Sequence, residues 1–158
     1  MIGGPLLGYA MRLLLALFGL FLLIGAAASA PLAVENVVIE TQGGPRVFRL
    51  EIAADDASRS YGLMHRTHLA HNGGMLFEFK TPVMAAFWMK DTPLPLDLLF
   101  VRADGTVSTI AANAIPYSTA QIVSAEPIRA VIEINGGLAR SLGIVPGSRV
   151  HASLFGGR

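Results

Sequence analysis

After residue 30 the chain never holds one hydrophobic period for long. Its apolar runs are short, and turn signals break between them at Thr41-Gln42-Gly43-Gly44-Pro45, Asn72-Gly73-Gly74, Thr81-Pro82, Ala103-Asp104-Gly105 and Pro146-Gly147. Glycine and proline at such points supply the backbone angles that turns demand, and runs this short suit strands rather than helices. Val47–Ile52 alternates, with Phe48, Leu50 and Ile52 on one face and Arg49 and Glu51 on the other. It is expected to pair with Val37–Ile39 as a hairpin. Further strands are expected over Met75–Phe79, Ala85–Lys90, Asp97–Val101, Thr106–Ala111, Ala130–Ile134 and Arg149–Phe155, with the third and fourth of these pairing as a second hairpin. Two short helices complete the pattern. One is capped by Asp55-Asp56 and runs to about Leu63; the other covers Leu138–Leu142, opened by Gly136-Gly137 and stopped by Gly143. The prediction is a mainly β, single-domain protein, an antiparallel sandwich or barrel-like sheet with two short helices. A βαβ fold would need longer helices between the strands.

The longest apolar run lies before that region. Leu13–Ile24 is twelve nearly unbroken apolar residues, preceded by Arg12 and followed by Gly25-Ala26-Ala27-Ala28-Ser29-Ala30. A basic lead, a short apolar stretch and a small-x-small end are the pattern of a secretory signal peptide. A bilayer span needs about twenty residues. Cleavage after residue 30 is therefore expected, which leaves residues 31–158 as a single mature β-rich domain, exported to the periplasm and without a membrane span. Met11 is an equally good start and would make residues 1–10 an extension. The alternative is a retained anchor lengthened by Leu6–Tyr9, but Gly3-Gly4-Pro5 and Gly8 argue against one continuous helix.

Of the twelve Lys and Arg only Arg12 lies within residues 1–30, so residues 31–158 carry 11 − 11 = 0 formal charge. Nucleic-acid-binding domains show a basic surplus, so no nucleic-acid partner is expected. The chain has no cysteine, which removes disulfides, thiolate nucleophiles and cysteine-held zinc or iron–sulfur sites. It also lacks a nucleophile elbow, a phosphate-cradling glycine loop and a His-Glu-x-x-His pair. No cofactor is expected, and oligomeric state stays open.

Four stretches concentrate the unusual residues. They are Arg59-Ser60-Tyr61-Gly62-Leu63-Met64-His65-Arg66, Gly74-Met75-Leu76-Phe77-Glu78-Phe79, Phe87-Trp88-Met89-Lys90-Asp91-Thr92-Pro93-Leu94-Pro95-Leu96-Asp97, and Glu133-Ile134-Asn135-Gly136-Gly137. The third holds the only tryptophan and one of two lysines. In this order the four resemble a bacterial and archaeal family known as domain of unknown function 192. That family's pattern reads arginine, two residues, Gly-Leu-Met, one residue, arginine; then Gly-Met-Leu-Phe; then Phe-Trp-Met-Lys-Asn-Thr with Pro-Leu-Asp; then Glu-Leu-Asn-Ala-Gly. The resemblance extends over roughly Ile52–Val150. Asp91 stands where the pattern has asparagine, and Gly136 where it has alanine. The resemblance implies a compact, mostly β, barrel-like fold and no established activity.

The charged and aromatic members of these motifs are the candidate site: Arg59, Arg66, Trp88, Lys90, Asp97 and Glu133. Glu133 falls on the strand face opposite Ile132 and Ile134. An aromatic to stack and cations to grip would suit a small polar or anionic ligand, a saccharide included. The same residues could instead form an internal ion-pair network, with Arg59 or Lys90 against Asp97 or Glu133. A binding or accessory module is the leading expectation. The first alternative is an envelope hydrolase using Asp97 or Glu133 as acid or base. The second is a metal-binding accessory protein built on Met64, Met75, Met84 and Met89, which lack a tight cluster, or on His65, His68 and His71, which recur every third residue and would have to share a helical face although they sit just before a Gly-Gly loop; no metal site is expected.

Overall fold

The computed structural model describes residues 31–156; the expected signal peptide lies outside them. The strands are β1 (Val34–Ile39), β2 (Arg46–Ala53), β3 (Gly73–Val83), β4 (Ala86–Phe87), β5 (Leu96–Val101), β6 (Val107–Ala114), β7 (Ile122–Val123), β8 (Ile128–Asn135) and β9 (Val150–His151). The helices are α1 (Asp56–Tyr61) and α2 (Leu138–Leu142), with one 3-10 turn at Ser153–Phe155. Seven strands make a curled half-barrel sheet in the order β6-β5-β8-β3-β2-β1-β9, while β4 and β7 pair apart as a two-stranded sheet. The mainly β expectation with two short helices holds. Among the described residues no helix is long and apolar enough to cross a membrane.

Local chemistry accounts for most of the elements. Both expected hairpins are present, β1–β2 and β5–β6. Asp55 caps α1 by accepting from the Ser58 amide at 2.8 Å, and Ser58 returns a bond to the Asp55 amide, a reciprocal capping box. All six residues of β5 are buried. Leu96, Leu98 and Phe100 enter one apolar layer and Leu99 and Val101 the other, because β5 lies between β6 and β8 with both faces covered. That is why the strand reads as a continuous apolar run rather than an alternating one.

Three expectations are corrected. Helix α1 stops at Tyr61, where Gly62 takes a φ of 51°, so the residues from Gly62 to Asn72 do not continue it. Arg59 therefore lies on α1 and Arg66 beyond its end, and His65, His68 and His71 do not share a helical face. The strand expected over Ala85–Lys90 shrinks to Ala86–Phe87, and that over Arg149–Phe155 to Val150–His151 followed by the 3-10 turn. Finally, β2 and β3 are parallel neighbours joined through α1, one local βαβ crossover within an otherwise antiparallel sheet.

The two faces of the sheet carry two apolar layers. One gathers Phe48, Leu50, Leu76, Leu99, Ile132 and Ile134 beneath α2 and the C-terminal 3-10 turn. The other gathers Met75, Phe77, Leu98, Phe100 and Val131, and is covered by Leu63, Ala85 and Met89. At the centre β3 and β8 approach closely at Gly74. A Cβ there would lie 2.3 Å from the Glu133 carbonyl oxygen and 2.8 Å from a Leu50 methyl, so only glycine fits.

Candidate functional site

A cavity of about 480 Å³ opens over the second apolar layer, within the range typical of small-molecule sites. Helix α1 and the turn after it form one wall, with Asp56, Arg59, Ser60, Tyr61, Leu63 and Met64. The segment from Val83 to Trp88 forms the facing wall. The sheet supplies Phe77, Phe79 and Glu133 from below. These last three fall on one face because Phe77 pairs with Val131 and Met75 with Glu133, and alternate residues of paired strands point the same way.

Glu133 is the unusual member. It is only 4% exposed, yet its side chain lines the cavity. Its neighbours across the ladder are Met75 on β3 and Leu98 on β5, both buried and apolar. Among the described residues no side chain pairs with its carboxyl, whose oxygens are not sealed in the protein but open on the cavity; the ion pairs present are formed elsewhere. Burial pushes its pKa from 4.5 up to about 8, because the charged form loses water and gains no partner. At neutral pH Glu133 is thus a protonated acid that can donate one hydrogen bond and accept others.

The other sequence candidates divide. Arg59 lines the cavity, but its guanidinium is already engaged. It donates to the carbonyls of Ala54 (2.6 Å) and Glu78 (2.9 Å), pairs with Asp56, and lies 5.6 Å from the centre of the Phe79 ring. Its work is to tie α1 to β3. Trp88 is 48% exposed and stands at the mouth, with the Lys90 ammonium over its ring at 5.7 Å. Lys90 itself is not part of the lining. Arg66 pairs with Glu51 at 2.7 Å and also lies outside the cavity.

Asp97 lies away from it too, fully buried on the other face of β5. Its carboxylate accepts three backbone amides, from Asn113 (2.8 Å), Gly137 (2.9 Å) and Ala139 (2.8 Å). It thereby fixes the start of α2 and the bent end of β6. The ion-pair network expected among Arg59, Lys90, Asp97 and Glu133 does not form: Asp97 is satisfied by backbone and Glu133 by nothing. Of the six candidates the structure brings Arg59, Trp88 and Glu133 to one cavity and leaves Arg66, Lys90 and Asp97 outside it.

Sequence reasoning passed over much of the wall. Tyr61, Phe77, Phe79, Phe87 and Thr92, all in the motif stretches, line it together with Met84. A signal existed for two of them. Phe77 and Phe79 alternate with Leu76 and Glu78, which puts both on Glu133's side once β3 and β8 are neighbours. Asn135 was also missed as a tie: its side-chain amide donates to the Ala70 carbonyl at 2.9 Å and holds the long loop before β3 against β8. Of the methionines, Met75 and Met89 are core and Met64 and Met84 line the cavity. Among the described residues no three His, Asp or Glu side chains gather in a way that could hold a metal ion.

Comparison with known proteins finds a match to the family model DUF192, described as "Uncharacterized ACR", over residues 37–152. Among solved structures, a protein of unknown function from Novosphingobium aromaticivorans DSM 12444 is 45% identical, with a TM-score of 0.75 over 79% of this chain and 94% of that one. A protein from Sinorhizobium meliloti 1021, assigned provisionally as a transcription regulator, is 41% identical, with a TM-score of 0.76 over 79% of this chain and 98% of that one. No curated protein matches the chain.

Proposed function

The chain belongs to DUF192, a family described only as uncharacterized, and we infer its role from the cavity: it is a binding or accessory module for a small ligand with a polar group and an apolar body. The observation that carries this reading is Glu133, a carboxyl 4% exposed and unpartnered in a cavity of about 480 Å³. Burying a carboxyl with no protein partner costs desolvation that a plain apolar residue in the same place would not incur, and its oxygens stay open to the cavity. A ligand that bonds to Glu133 supplies the missing partner.

The walls support the ligand's character. Leu63, Phe77, Val83 and Phe87 offer apolar contact, and Tyr61, Met84 and Trp88 are exposed around the opening. Large apolar side chains left exposed together around a cleft are a feature of binding surfaces. The cavity favours the polar half of the expected ligand class over the anionic half. Arg59 commits three of its five N–H donors within the protein and its charge is paired with Asp56, and Arg66 and Lys90 stand outside.

The signal-like pattern at residues 1–30 supports export, so the ligand would be met in the periplasm. The zero formal charge of residues 31–158 supports a role without nucleic acid, although the Sinorhizobium neighbour is assigned provisionally to transcription.

Thermal-shift screening of small neutral, cationic and anionic solutes, run in parallel on wild type and Ala86→Phe, tests the reading. Ala86 is exposed and lines the cavity, so phenylalanine there plugs the opening without touching the core. Solutes that stabilise wild type are expected to lose their effect in the plugged variant. Equal shifts in both would put binding elsewhere and defeat the reading.

A second reading, an envelope hydrolase with Glu133 as general acid, is favoured by its pKa of about 8, which suits proton transfer near neutrality. Among the described residues no second acid–base group perturbs it, and its titratable companions in the lining are Asp56, Arg59 and Tyr61. Turnover of any ester or glycoside that Glu133→Gln abolishes, with binding retained, would favour this reading over the first.

A further inference from the structure

We infer that the ligand is a small organic cation, its ammonium group set against the Glu133 carboxylate and its carbon body against the aromatic walls. This rests on the reading of the cavity as a binding site and goes on to name the ligand's charge. Among the described residues four titratable side chains line the cavity: Asp56, Arg59, Tyr61 and Glu133. Asp56 and Arg59 neutralise each other. Tyr61 contributes a phenol hydroxyl. From the adjoining strands Met75 and Leu98 face Glu133, and neither carries charge. One group therefore lacks a counter-charge, and it is an acid.

Each ligand class meets that acid differently. An anion would bring its charge beside an ionisable carboxyl with no free cation in the lining. A sugar could bond to Ser60, Tyr61 and Thr92, but Leu63, Phe77, Val83 and Phe87 offer its remaining hydroxyls neither donor nor acceptor. A cation supplies what Glu133 is missing. The rings add to this, since aromatic faces attract cations through their quadrupole. Two rings of this cavity already hold internal cations, Lys90 over Trp88 and Arg59 over Phe79. Phe77 and Phe87 meet edge to face at 5.0 Å and 89°, which leaves their planes crossed around the same space.

The proton balance is definite. In the free protein Glu133 is protonated below about pH 8. As the cation enters, the carboxyl releases its proton to water and a carboxylate–ammonium pair remains, so one proton leaves per cation bound. Affinity should then rise about tenfold per pH unit up to about pH 8 and level off above it.

Isothermal titration with choline, its neutral carbon isostere 3,3-dimethyl-1-butanol and the anion 3,3-dimethylbutanoate tests this on wild type, Glu133→Gln and Ala86→Phe. The expected result is choline binding at pH 8.5 that weakens about tenfold per unit below pH 8 and releases one proton at pH 6.5. The alcohol should bind at least about tenfold more weakly, and Glu133→Gln should lose at least about tenfold in choline affinity. Should that variant prove poorly folded, Glu133→Leu replaces it, since leucine suits the neighbours Met75 and Leu98. Equal binding of alcohol and choline, or undiminished choline binding in Glu133→Gln, overturns the cation and leaves the cavity reading standing. Choline binding that survives in Ala86→Phe overturns both, and no response to choline at any pH overturns the cation.

Discussion

Glu133 stands directly across the β8–β5 ladder from Leu98, an apolar side chain in the place where a charged partner would have to be. With Met75 on its other side, the carboxyl has nothing in the sheet to bond. Desolvation without a partner in the sheet raises its pKa and gives the protein a measurable dependence on pH.

The sign follows from the raised pKa. Glu133 keeps its proton to about pH 8 when folded, whereas an unfolded glutamate loses it near 4.5. Between these values the folded state binds more protons, so stability is fully present below about 4.5 and is lost as pH rises towards 8. The slope approaches about 1.4 kcal/mol per pH unit. Urea unfolding from pH 5 to 8.5 should show the midpoint falling in wild type and a much flatter curve in Glu133→Gln. Parallel curves would refute the assignment.

Asp97 should behave in the opposite way, as scaffold. Its carboxylate takes three amides, and asparagine would turn an N–H₂ toward at least one of them. Hydrogen bonds to charged groups contribute about 1.5–3 kcal/mol each, so Asp97→Asn should cost about 3 kcal/mol or more. Denaturant titration measures this; a loss under about 1 kcal/mol would mean the carboxylate does not hold α2.

Gly74→Ala should be among the most damaging single-methyl changes. The new Cβ would meet the Glu133 carbonyl oxygen at 2.3 Å, and that contact is backbone on a central strand. Overpacking of this kind costs about 3 kcal/mol. Calorimetry should show a clearly lowered Tm, and a Tm within a degree or two of wild type would argue against the close approach of β3 and β8.

Trp88→Ala should separate stability from binding. The ring is half exposed and its contact with Lys90 lies at the surface, where cation–π pairs contribute only about 0.5–1 kcal/mol. The variant should fold almost as stably as wild type yet bind cavity ligands more weakly. Global unfolding on this substitution would make Trp88 core instead.

The sequence made some of this legible and hid the rest for physical reasons. Hairpins and strand faces follow from local alternation, so Phe48 and Leu50 point inward as read. The Asp55 cap and the stop at Gly143 are likewise local. Asp91 illustrates a departure that turns out mild. It adopts a φ of 52°, and asparagine and aspartate both tolerate that left-handed region better than other side chains. That Glu133 faces only Met75 and Leu98 was not legible, because it depends on β8 lying between β3 and β5, which no local pattern encodes. The two-residue strands β4 and β7 are too short to carry any period. The parallel β2–β3 pairing hides for a related reason, since a six-residue helix proved enough to make the crossover.

The most direct test is the titration of the Glu133 side-chain carboxyl carbon by ¹³C NMR, assigned by comparison with Glu133→Gln. In the free protein the midpoint should lie at about 8, and saturating choline should draw it down toward ordinary carboxylate values. A free-protein midpoint near 4.5 would show a solvated or paired carboxylate and contradict the site as described; a midpoint of about 8 that choline leaves unmoved would contradict the cation.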